Sequence, residues 1–421
     1  MITRRNIKAL YFIETSHPLQ KVGEMMAGEQ SSGTFVRLPG ETAVLKNKYG
    51  AVVEDIQELG MVPYPSLPGS KRSTNQIEGY QRAEIKIAWP YDNIGADISA
   101  LMAAVAGNLY ELGPMSGIKL LDIEIPDEFM SEYRGPGFGI EGTRKLCQVY
   151  DRPIIGTIIK PSVGLTPEET AGQVKILVEA GLDFIKDDEL MADPPHSPFT
   201  KRVEAIMKVL NDHALKTGRM PMYAFNLSGE IDDMKRRHDL VVKNGGTCVM
   251  ANINWVGITG LLALSGHSQV PIHGHRNFWG ALSRHPLLGM DFVAYQKIFS
   301  ICGVDQLHTN GIRNKFCESD ESVIRSVRAC LNPEHGGFRV MPVISSGQWA
   351  EQALDTHKAI GNLDLMYLCG GGITAHPGGM DAGVRSIRIA WEEAVRGNSI
   401  FDVQDKYSEI RQAIDFYGKN T

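Results

Sequence analysis

The chain has 421 residues and a formal net charge of −6 at pH 7, with 43% hydrophobic and 22% charged residues. These proportions are ordinary for a globular protein, and the length suggests two domains. A net negative chain without a basic footprint argues against nucleic acid as a partner.

The cysteines and the apolar runs indicate in which cellular compartment the protein is expected. Six cysteines are scattered without a C-x-x-C pair, which favours reduced thiols in the cytosol over a disulfide framework or a zinc site. No apolar run has the length needed to cross a membrane, and polar residues interrupt the first twenty positions. We therefore expect a cytoplasmic protein with no signal peptide and no membrane contact.

The first 130 residues predict a small α+β domain. Its patterns come in the order strand, helix, strand, strand, helix, strand, which is the ferredoxin-like arrangement. A stretch rich in proline, between Pro63 and Gly69, interrupts this order. The strand patterns lie at 7–14, 51–59, 83–89 and 118–125, and the helical patterns at 18–28 and 97–106.

The rest of the chain, 131–421, predicts a (β/α)8 TIM barrel with C-terminal helices. It begins with a Gly/Pro-rich entry at Arg134–Ile140 and then alternates short apolar runs with longer helical patterns, as such a barrel requires. The eight predicted strands are Pro153–Ile159, Leu182–Lys186, Pro221–Phe225, Thr247–Ile253, Val270–His273, Val304–Leu307, Arg339–Val343 and Asp364–Leu368.

A polar group follows each predicted barrel strand. Because the carboxyl ends of parallel strands meet on one face, where barrel enzymes keep their chemistry, these groups predict an active site. In strand order they are Lys160; Lys186, Asp188 and Glu189; Asn226; Asn252 and Asn254; His275 and Arg276; His308, Thr309 and Asn310; Ser345, Ser346 and Gly347; and Gly370, Gly371 and Gly372.

The segment Gly181–Glu189 offers a candidate metal site. Strand alternation places Lys186 and Asp188 on one side, and Glu189 follows where the strand ends. A lysine carbamate formed with CO2, together with two carboxylates, would suit Mg²⁺, which prefers a few oxygen ligands. The alternative is a Lys–Asp ion pair on the rim, with Glu189 solvated.

The other rim groups suggest anion binding and proton transfer. The three glycines from Gly370, together with Ser345 and Gly347, are typical of the phosphate site after strands seven and eight; the alternative is a flexible turn. We expect Arg276 and His308 either to hold a second anion on the opposite side or to form a salt link with a rim acid.

Two lysines and two histidines complete this interpretation. Lys160 is a candidate acid or base beside the metal. Lys315 lies on the loop after strand six, which either closes over the site or leaves the lysine solvated. His273 alternates with His275, and we expect one of the two to be packed in the interior.

These motifs, in this order, resemble the large subunit of ribulose-bisphosphate carboxylase, and specifically the RuBisCO-like proteins. The resemblance covers nearly the whole chain, and short matches on both predicted domains carry it. They are Glu29–Thr34, Gly156–Pro161, Gly181–Glu189, His275–Arg276 and Gly370–Pro377.

The resemblance implies a role for each matched residue. Lys186 corresponds to the carbamylated lysine, and Asp188 and Glu189 to the other Mg²⁺ ligands. Lys160 and His275 correspond to acid–base residues, and Lys315 to a lysine on a mobile loop. Arg276 and His308 correspond to one phosphate site of the family. The residues that correspond to the other end of the substrate are Ser345, Gly347, Gly370 and Gly371. The residues that correspond to those completing the neighbouring subunit's site are Glu29, Thr34 and Asn108. A homodimer with shared sites is therefore implied, and no small subunit is expected.

The chain also departs from the carboxylases. Ser162 replaces a second active-site lysine, Phe35 replaces a tryptophan, and Ser346 stands where a glycine is usual. The loop from Thr309 to Lys315 keeps its lysine but little else of the pattern. These differences argue against CO2 fixation on ribulose bisphosphate and leave metal-assisted enolisation intact.

The sequence therefore predicts a Mg²⁺-dependent enzyme that forms an enediolate from a phosphorylated keto sugar or sugar acid. The presence of His275, Arg276, His308 and Lys315 resembles the branch of the family that acts on 3-oxo-isoapionate 4-phosphate. This resemblance implies decarboxylation or C–C hydrolysis of a 3-oxo sugar-acid phosphate of that type. The alternative is an enolase or isomerase of a methylthio-pentulose phosphate. A true ribulose-bisphosphate carboxylase ranks below these two, and a non-catalytic scaffold ranks last.

Overall fold

The computed structural model describes residues 5–33, 38–73 and 78–419. Up to residue 131 the strands are β1 (Asn6–Thr15), β2 (Val52–Val62), β3 (Tyr80–Pro90) and β4 (Met115–Glu124), and the helices are α1 (Leu19–Glu29), α2 (Ala43–Tyr49), α3 (Ile98–Ala106) and α4 (Asp127–Ser131).

The later part of the chain mostly alternates helices and strands. Its elements are α5 (Gly139–Cys147), β5 (Ile154–Ile158), α6 (Pro167–Glu179), β6 (Phe184–Lys186), α7 (Phe199–Thr217), β7 (Met222–Asn226), α8 (Ile231–Lys243), β8 (Cys248–Asn252), α9 (Ile253–His267), β9 (Ile272–His275), α10 (Trp279–Ser283), β10 (Leu288–Met290), α11 (Phe292–Ile301), β11 (Gln306–His308), α12 (Asp320–Leu331), β12 (Met341–Ile344), α13 (Gln352–Ile360), β13 (Met366–Leu368), α14 (Gly371–Thr374), α15 (Met380–Val395), α16 (Ile400–Val403) and α17 (Ser408–Tyr417).

The chain divides into two compact units. The first comprises Met1–Arg134, Phe278–Ile301 and Pro333–Phe338, and the second comprises the remaining segments. The sequence did not predict that two later segments join the first unit. Neither segment stands out in the sequence, because each lies between barrel elements. Phe278–Ile301 contains α10, β10 and α11, and Pro333–Phe338 contains neither a helix nor a strand.

The first unit is built on a mixed five-stranded sheet in the order β10-β4-β1-β3-β2. β1 pairs antiparallel with β3 and β4, and alternate residues of β1, from Ile7 to Ile13, are buried. This confirms the ferredoxin-like prediction. The sequence missed α2, because this helix buries none of its residues and so carries no apolar periodicity.

The second unit is a closed barrel of eight parallel strands in the order β11-β12-β13-β5-β6-β7-β8-β9, and β11 pairs with β9 to close it. Each predicted barrel strand is present, which confirms the fold class. Most of the strands are buried throughout, so they read as short apolar runs without alternation.

The helix before the Lys186 strand has clear local signals. Thr166 and Glu169 form a reciprocal capping box, and Pro167 occupies the first turn of α6. The helix buries Val174 and Leu177, and the chain then turns at Gly181, whose φ is +84°. After this turn the chain enters β6, and Lys186 is the last residue of that strand.

Gly156, in β5, lies where the barrel has no room for a side chain. A Cβ atom there would be 2.4 Å from Leu368 Cδ2 and 2.9 Å from the Phe184 carbonyl oxygen. We expect Gly156→Ala to lower the free energy of unfolding by about 1–3 kcal/mol through overpacking. Gly172→Ala is the matched control, because Gly172 lies in α6 with open space around it and alanine favours a helix.

Denaturant unfolding of both variants and the wild-type protein tests this prediction. The midpoint should fall for Gly156→Ala and stay equal or rise for Gly172→Ala. Equal midpoints for the two variants would mean that the barrel interior accommodates the methyl group.

None of the helices within the described residues combines the length and the apolar character needed to span a membrane.

Candidate active site

Lys186 is the last residue of β6 and is wholly buried. Its Nζ donates to the backbone oxygen of Asp187 at 2.7 Å. Burial lowers the pKa of the Lys186 amine, although the carboxylates of Glu189 and Asp188 act in the opposite direction. A buried amine that gives up its proton readily is the nucleophile that carbamate formation with CO2 requires.

The two carboxylates beyond Lys186 face two other predicted residues. Lys160 Nζ donates to Asp188 Oδ2 at 2.7 Å and to Ser162 Oγ at 2.7 Å. Glu189 Oε2 lies 3.6 Å from His275 Nε2, and the Glu189 side chain is one-third exposed. The structure therefore brings Lys160, Asp188, Glu189 and His275 to the same rim of the barrel as Lys186.

Asp187, which the sequence left without a role, anchors the segment. Its carboxylate accepts hydrogen bonds from Tyr223 Oη at 2.7 Å, from the Asn226 backbone N–H at 2.9 Å and from Arg202 Nε at 3.3 Å. Arg202 is also wholly buried, and it donates to the backbone oxygens of Met191, Ala192 and Ser197. No sequence signal identified this pair, because α7 brings Arg202 to Asp187 only in the folded barrel.

Two predicted rim asparagines hold the backbone of the same segment. Asn226 Nδ2 donates to the backbone oxygens of Asp188 and Glu189, both at 3.2 Å. Asn252 Nδ2 donates to the Glu189 oxygen at 2.9 Å, while its Oδ1 is buried and has no hydrogen-bond partner among the described residues. These contacts fix where the Asp188 and Glu189 carboxylates can lie.

The structure separates the two histidines of β9. His273 is buried in the barrel, with Nδ1 2.8 Å from Gln306 Oε1 and Nε2 2.8 Å from His308 Nε2. His275 instead faces Glu189. Burial holds the pKa of His275 well below its usual range, and nearby Lys186 acts in the same direction.

Arg276 forms a salt link with an acid, which is the second of the two alternatives that the sequence left open. Its Nη2 donates to Glu318 Oε2 at 3.1 Å, so it forms a salt link, and Glu318 lies on the loop after β11. His308 lies 3.2 Å from Ser345, measured from Nδ1 to Oγ. Ser345, which was predicted to belong to one anion site, therefore contacts His308, which was predicted to belong to the other.

The loop after β12 carries a conformation that favours glycine. Ser346 has φ +78° and Gly347 has φ +84°, and the Ser346 Oγ donates to Asn310 Oδ1 at 2.7 Å. The backbone N–H of Lys315 donates to the Ser346 oxygen at 3.2 Å. The Lys315 side chain is exposed, and its Nζ lies over the Phe316 ring at 5.2 Å from the centroid.

Gly370 and Gly371 lie at the end of β13, where α14 begins. A Cβ atom at Gly370 would lie 4.0 Å from Lys160 Cε, and one at Gly371 would meet nothing within 4 Å. Within the described part of the chain, the backbone N–H groups of Gly370 and Gly347 donate to no backbone acceptor. The space beside Lys160 is therefore open and is bordered by bare backbone.

Two of the predicted N-terminal residues, Glu29 and Asn108, lie in the first unit. With the Gln30 amide turned to satisfy its neighbours, its oxygen accepts from the Asn108 backbone N–H at 2.8 Å, so Asn108 lies next to the end of α1 that carries Glu29. Thr34 falls outside the described residues.

The donor set fits Mg²⁺ with a lysine carbamate. The carboxylates of Asp188 and Glu189 lie beside the buried Lys186 amine, whose pKa is lowered. In this structure the Lys160 Nζ forms an ion pair with Asp188, so this carboxylate already has a cation as its partner. The buried Asn252 Oδ1 adds an unpaired oxygen to this rim.

One other cluster carries metal-ligand types. Within residues 5–33, 38–73 and 78–419, one group of three His, Cys, Asp or Glu ligand atoms lies within 4.8 Å, namely His238, Asp239 and His267. The Gln269 N–H donates to His238 Nε2 at 3.0 Å, so His238 holds its proton on Nδ1, which faces Asp239 at 2.9 Å. This arrangement is a hydrogen-bonded link between α8 and α9, and the sequence did not predict it.

The architecture and the rim place the chain in a known class. Residues 139–417 match the family model of the ribulose bisphosphate carboxylase large chain, catalytic domain, and residues 3–129 match the model of its N-terminal domain. The chain belongs to the ribulose bisphosphate carboxylase large-chain family, and its relatives place it among the RuBisCO-like proteins.

Two curated relatives align over nearly the whole chain. The 3-oxo-isoapionate-4-phosphate transcarboxylase/hydrolase of Xanthobacter autotrophicus is 48% identical over 98% of this chain and 99% of that protein. The 3-oxo-isoapionate-4-phosphate decarboxylase of Rhizobium etli is 45% identical over 93% and 94%. Among solved structures, a rubisco-like protein from Burkholderia fungorum superposes with a TM-score of 0.90 at 41% identity, covering 98% of this chain and 99% of that one.

Proposed function

We propose that this protein is a Mg²⁺-dependent enzyme that decarboxylates, or hydrolyses at a carbon–carbon bond, a 3-oxo sugar-acid phosphate of the 3-oxo-isoapionate 4-phosphate type. The observation that carries the proposal is the grouping of Lys160, Lys186, Asp188, Glu189 and His275 on one barrel rim. The names of the two curated relatives support the substrate class.

Lys186, as a carbamate, would hold the metal together with Asp188 and Glu189. When bound, Mg²⁺ would polarise a substrate carbonyl and stabilise the negative charge that develops on its oxygen. Family membership generally implies both the metal and the carbamate. The buried amine and the two adjacent carboxylates support them in this chain.

Lys160 moves a proton at the reacting carbon or oxygen of the substrate. It is suited to this role because its Nζ is already positioned by Asp188 and Ser162 and borders the open space beside Gly370. His275, held near Glu189, is the second acid–base group. Loss of CO2 from a 3-oxo acid leaves an enediolate, and Lys160 or His275 then delivers the proton that replaces the carboxylate.

The substrate phosphate binds at the backbone of Gly347, Gly370 and Gly371. Bare N–H groups and the absence of side chains allow phosphate oxygens to approach closely. Ser345, which follows β12, connects this end to His308, whose Nδ1 lies 3.2 Å from the Ser345 Oγ. Lys315 closes over the phosphate end from the loop after β11, where its backbone N–H donates to the Ser346 oxygen.

The active form is a homodimer in the cytoplasm. Glu29, Thr34 and Asn108 of one subunit would complete the site of the other, as the resemblance implies, with no small subunit. All six cysteines are free thiols and five are buried, which supports a reducing compartment.

Release of CO2 from 3-oxo-isoapionate 4-phosphate tests the proposal. The enzyme, preincubated with Mg²⁺ and bicarbonate, should release CO2 or cleave the carbon skeleton, and chelation of Mg²⁺ should abolish the reaction. No cleavage, combined with exchange of a carbon-bound proton in a methylthio-pentulose phosphate, would assign the enolase function instead.

A further inference from the structure

A buried chain of hydrogen bonds leads to His308 and determines which of its ring nitrogens donates to His273. Gln306 Nε2 donates to Thr143 Oγ1 at 3.2 Å, so Gln306 Oε1 is the acceptor that faces His273 Nδ1 at 2.8 Å. His273 therefore carries its proton on Nδ1 and accepts through Nε2. His308 must then donate from its own Nε2, 2.8 Å away.

This order of donors places a proton on Nε2 of His308. Ser345 Oγ lies 3.2 Å from His308 Nδ1 and donates to the Thr309 backbone oxygen at 3.3 Å. Burial holds the pKa of His308 well below its usual range, and the neighbouring rings of His275 and His273 act in the same direction. The His308 side of the rim is therefore a poor place for a positive charge and offers hydrogen-bonding groups instead.

Arg276 lies on the same side of the rim as His308 and forms an ion pair with Glu318. Glu318 Oε2 accepts from Arg276 Nη2 at 3.1 Å and from Asn310 Nδ2 at 2.6 Å. Glu318 Oε1 accepts from Ser322 Oγ at 2.9 Å and from Ser326 Oγ at 3.5 Å. Only about a tenth of the Glu318 side chain is exposed, at 11%, so solvent screens its charge weakly.

Arg313, on the loop after β11, is also paired with acidic side chains. Arg313 Nη1 forms an ion pair with Asp355 at 2.5 Å, and Arg313 Nη2 lies 3.7 Å from Glu351. The exposed Lys315 ammonium lies over the ring of Phe316. The Arg276–His308 end of the site thus has a carboxylate built beside its guanidinium, whereas the Gly370–Gly371 end has open backbone.

We propose that the Arg276–His308 end binds an uncharged, hydroxyl-bearing part of the substrate, and that Glu318 makes the enzyme select a sugar monophosphate over a bisphosphate. The inference rests on the proposed function and names the number of phosphates that the same site accepts. A second phosphate at this end would approach the Glu318 carboxylate, and like charges repel strongly where solvent is excluded.

Removing the charge of Glu318 should therefore change selectivity. Glu318→Gln nearly keeps the size of the side chain, replaces one acceptor oxygen with an NH2 donor and removes the negative charge that faces Arg276. We expect it to improve binding of a bisphosphate about tenfold or more relative to a monophosphate. Glu321→Gln is the matched control, because it removes an exposed acid from the first turn of α12, three residues after Glu318, whereas Glu318 forms the ion pair with Arg276.

Calorimetric titration with ribulose 5-phosphate and ribulose 1,5-bisphosphate makes the measurement. The full-length protein is titrated with Mg²⁺ and bicarbonate present. The wild-type protein and Glu321→Gln should bind the bisphosphate no more tightly than the monophosphate, and Glu318→Gln should shift the ratio of affinities towards the bisphosphate.

A wild-type preference for the bisphosphate, or an equal change in both affinities in Glu318→Gln, would overturn the inference. If Glu318→Gln fails to fold, the wild-type ratio still decides it. The ratio of affinities tests this inference, and CO2 release tests the proposed function. An absence of CO2 release would therefore refute the proposed function and leave the binding result to be judged separately.

Discussion

Replacing Lys186 with alanine is expected to abolish Mg²⁺-dependent turnover. Lys186 is buried beside Asp188 and Glu189, and its carbamate would supply the third protein ligand. Loss of the ion would remove several kcal/mol of transition-state stabilisation, so kcat/KM should fall by about 10³-fold or more. The rate of decarboxylation with saturating Mg²⁺ and bicarbonate gives the direct measurement.

Metal binding separates a lost ligand from a damaged fold. Titration with Mn²⁺, followed by electron paramagnetic resonance, should show tighter binding with bicarbonate in the wild-type protein and no such effect in Lys186→Ala. Lys186→Met, which nearly keeps the side-chain volume but cannot react with CO2, should behave like Lys186→Ala. Lys175→Ala is the matched control, because Lys175 is exposed on α6. Turnover that survives in both Lys186 variants would disprove the carbamate hypothesis.

The second large effect is expected at Lys160. Lys160→Met removes the ammonium that contacts Asp188 and Ser162, and with it the group proposed to transfer the proton. General acid–base groups contribute about 10²–10⁴-fold, so kcat should fall by that order. The KM should change less, because the proposed phosphate contacts are made by backbone groups elsewhere on the rim.

Two further measurements identify the role of Lys160. Bicarbonate-dependent binding of Mn²⁺ should persist in Lys160→Met, since the three proposed ligands are intact. Solvent deuterium should no longer enter the product, or the substrate analogue, at the reacting carbon. Retained deuterium exchange at the wild-type rate would transfer the proton-handling role to another group, with His275 the nearest candidate by its contact with Glu189.

The sequence predicted the parts of the site whose signals are local. Lys186, Asp188 and Glu189 lie within four positions at a strand end, and Gly370–Gly372 are consecutive. Likewise, strand and helix patterns require only neighbours within one element, which is why the ferredoxin-like order and all eight barrel strands could be predicted.

The sequence could not choose between alternatives that depend on distant contacts. It left open which of His273 and His275 is packed, and whether Arg276 binds an anion or an acid. Gln306 and Glu318 decide these questions, and they lie 33 and 42 positions away along the chain. The Asp187–Arg202 pair was missed for the same reason.

The sequence by itself determined the class of chemistry, because residue types in series at strand ends specify which groups reach the barrel rim. The tertiary structure alone decided the electrostatic surroundings of those groups. Burial lowers the pKa values of Lys186 and His308, and Glu318 forms an ion pair with Arg276. The partners of His308 and Arg276 come together only when the barrel closes between β9 and β11.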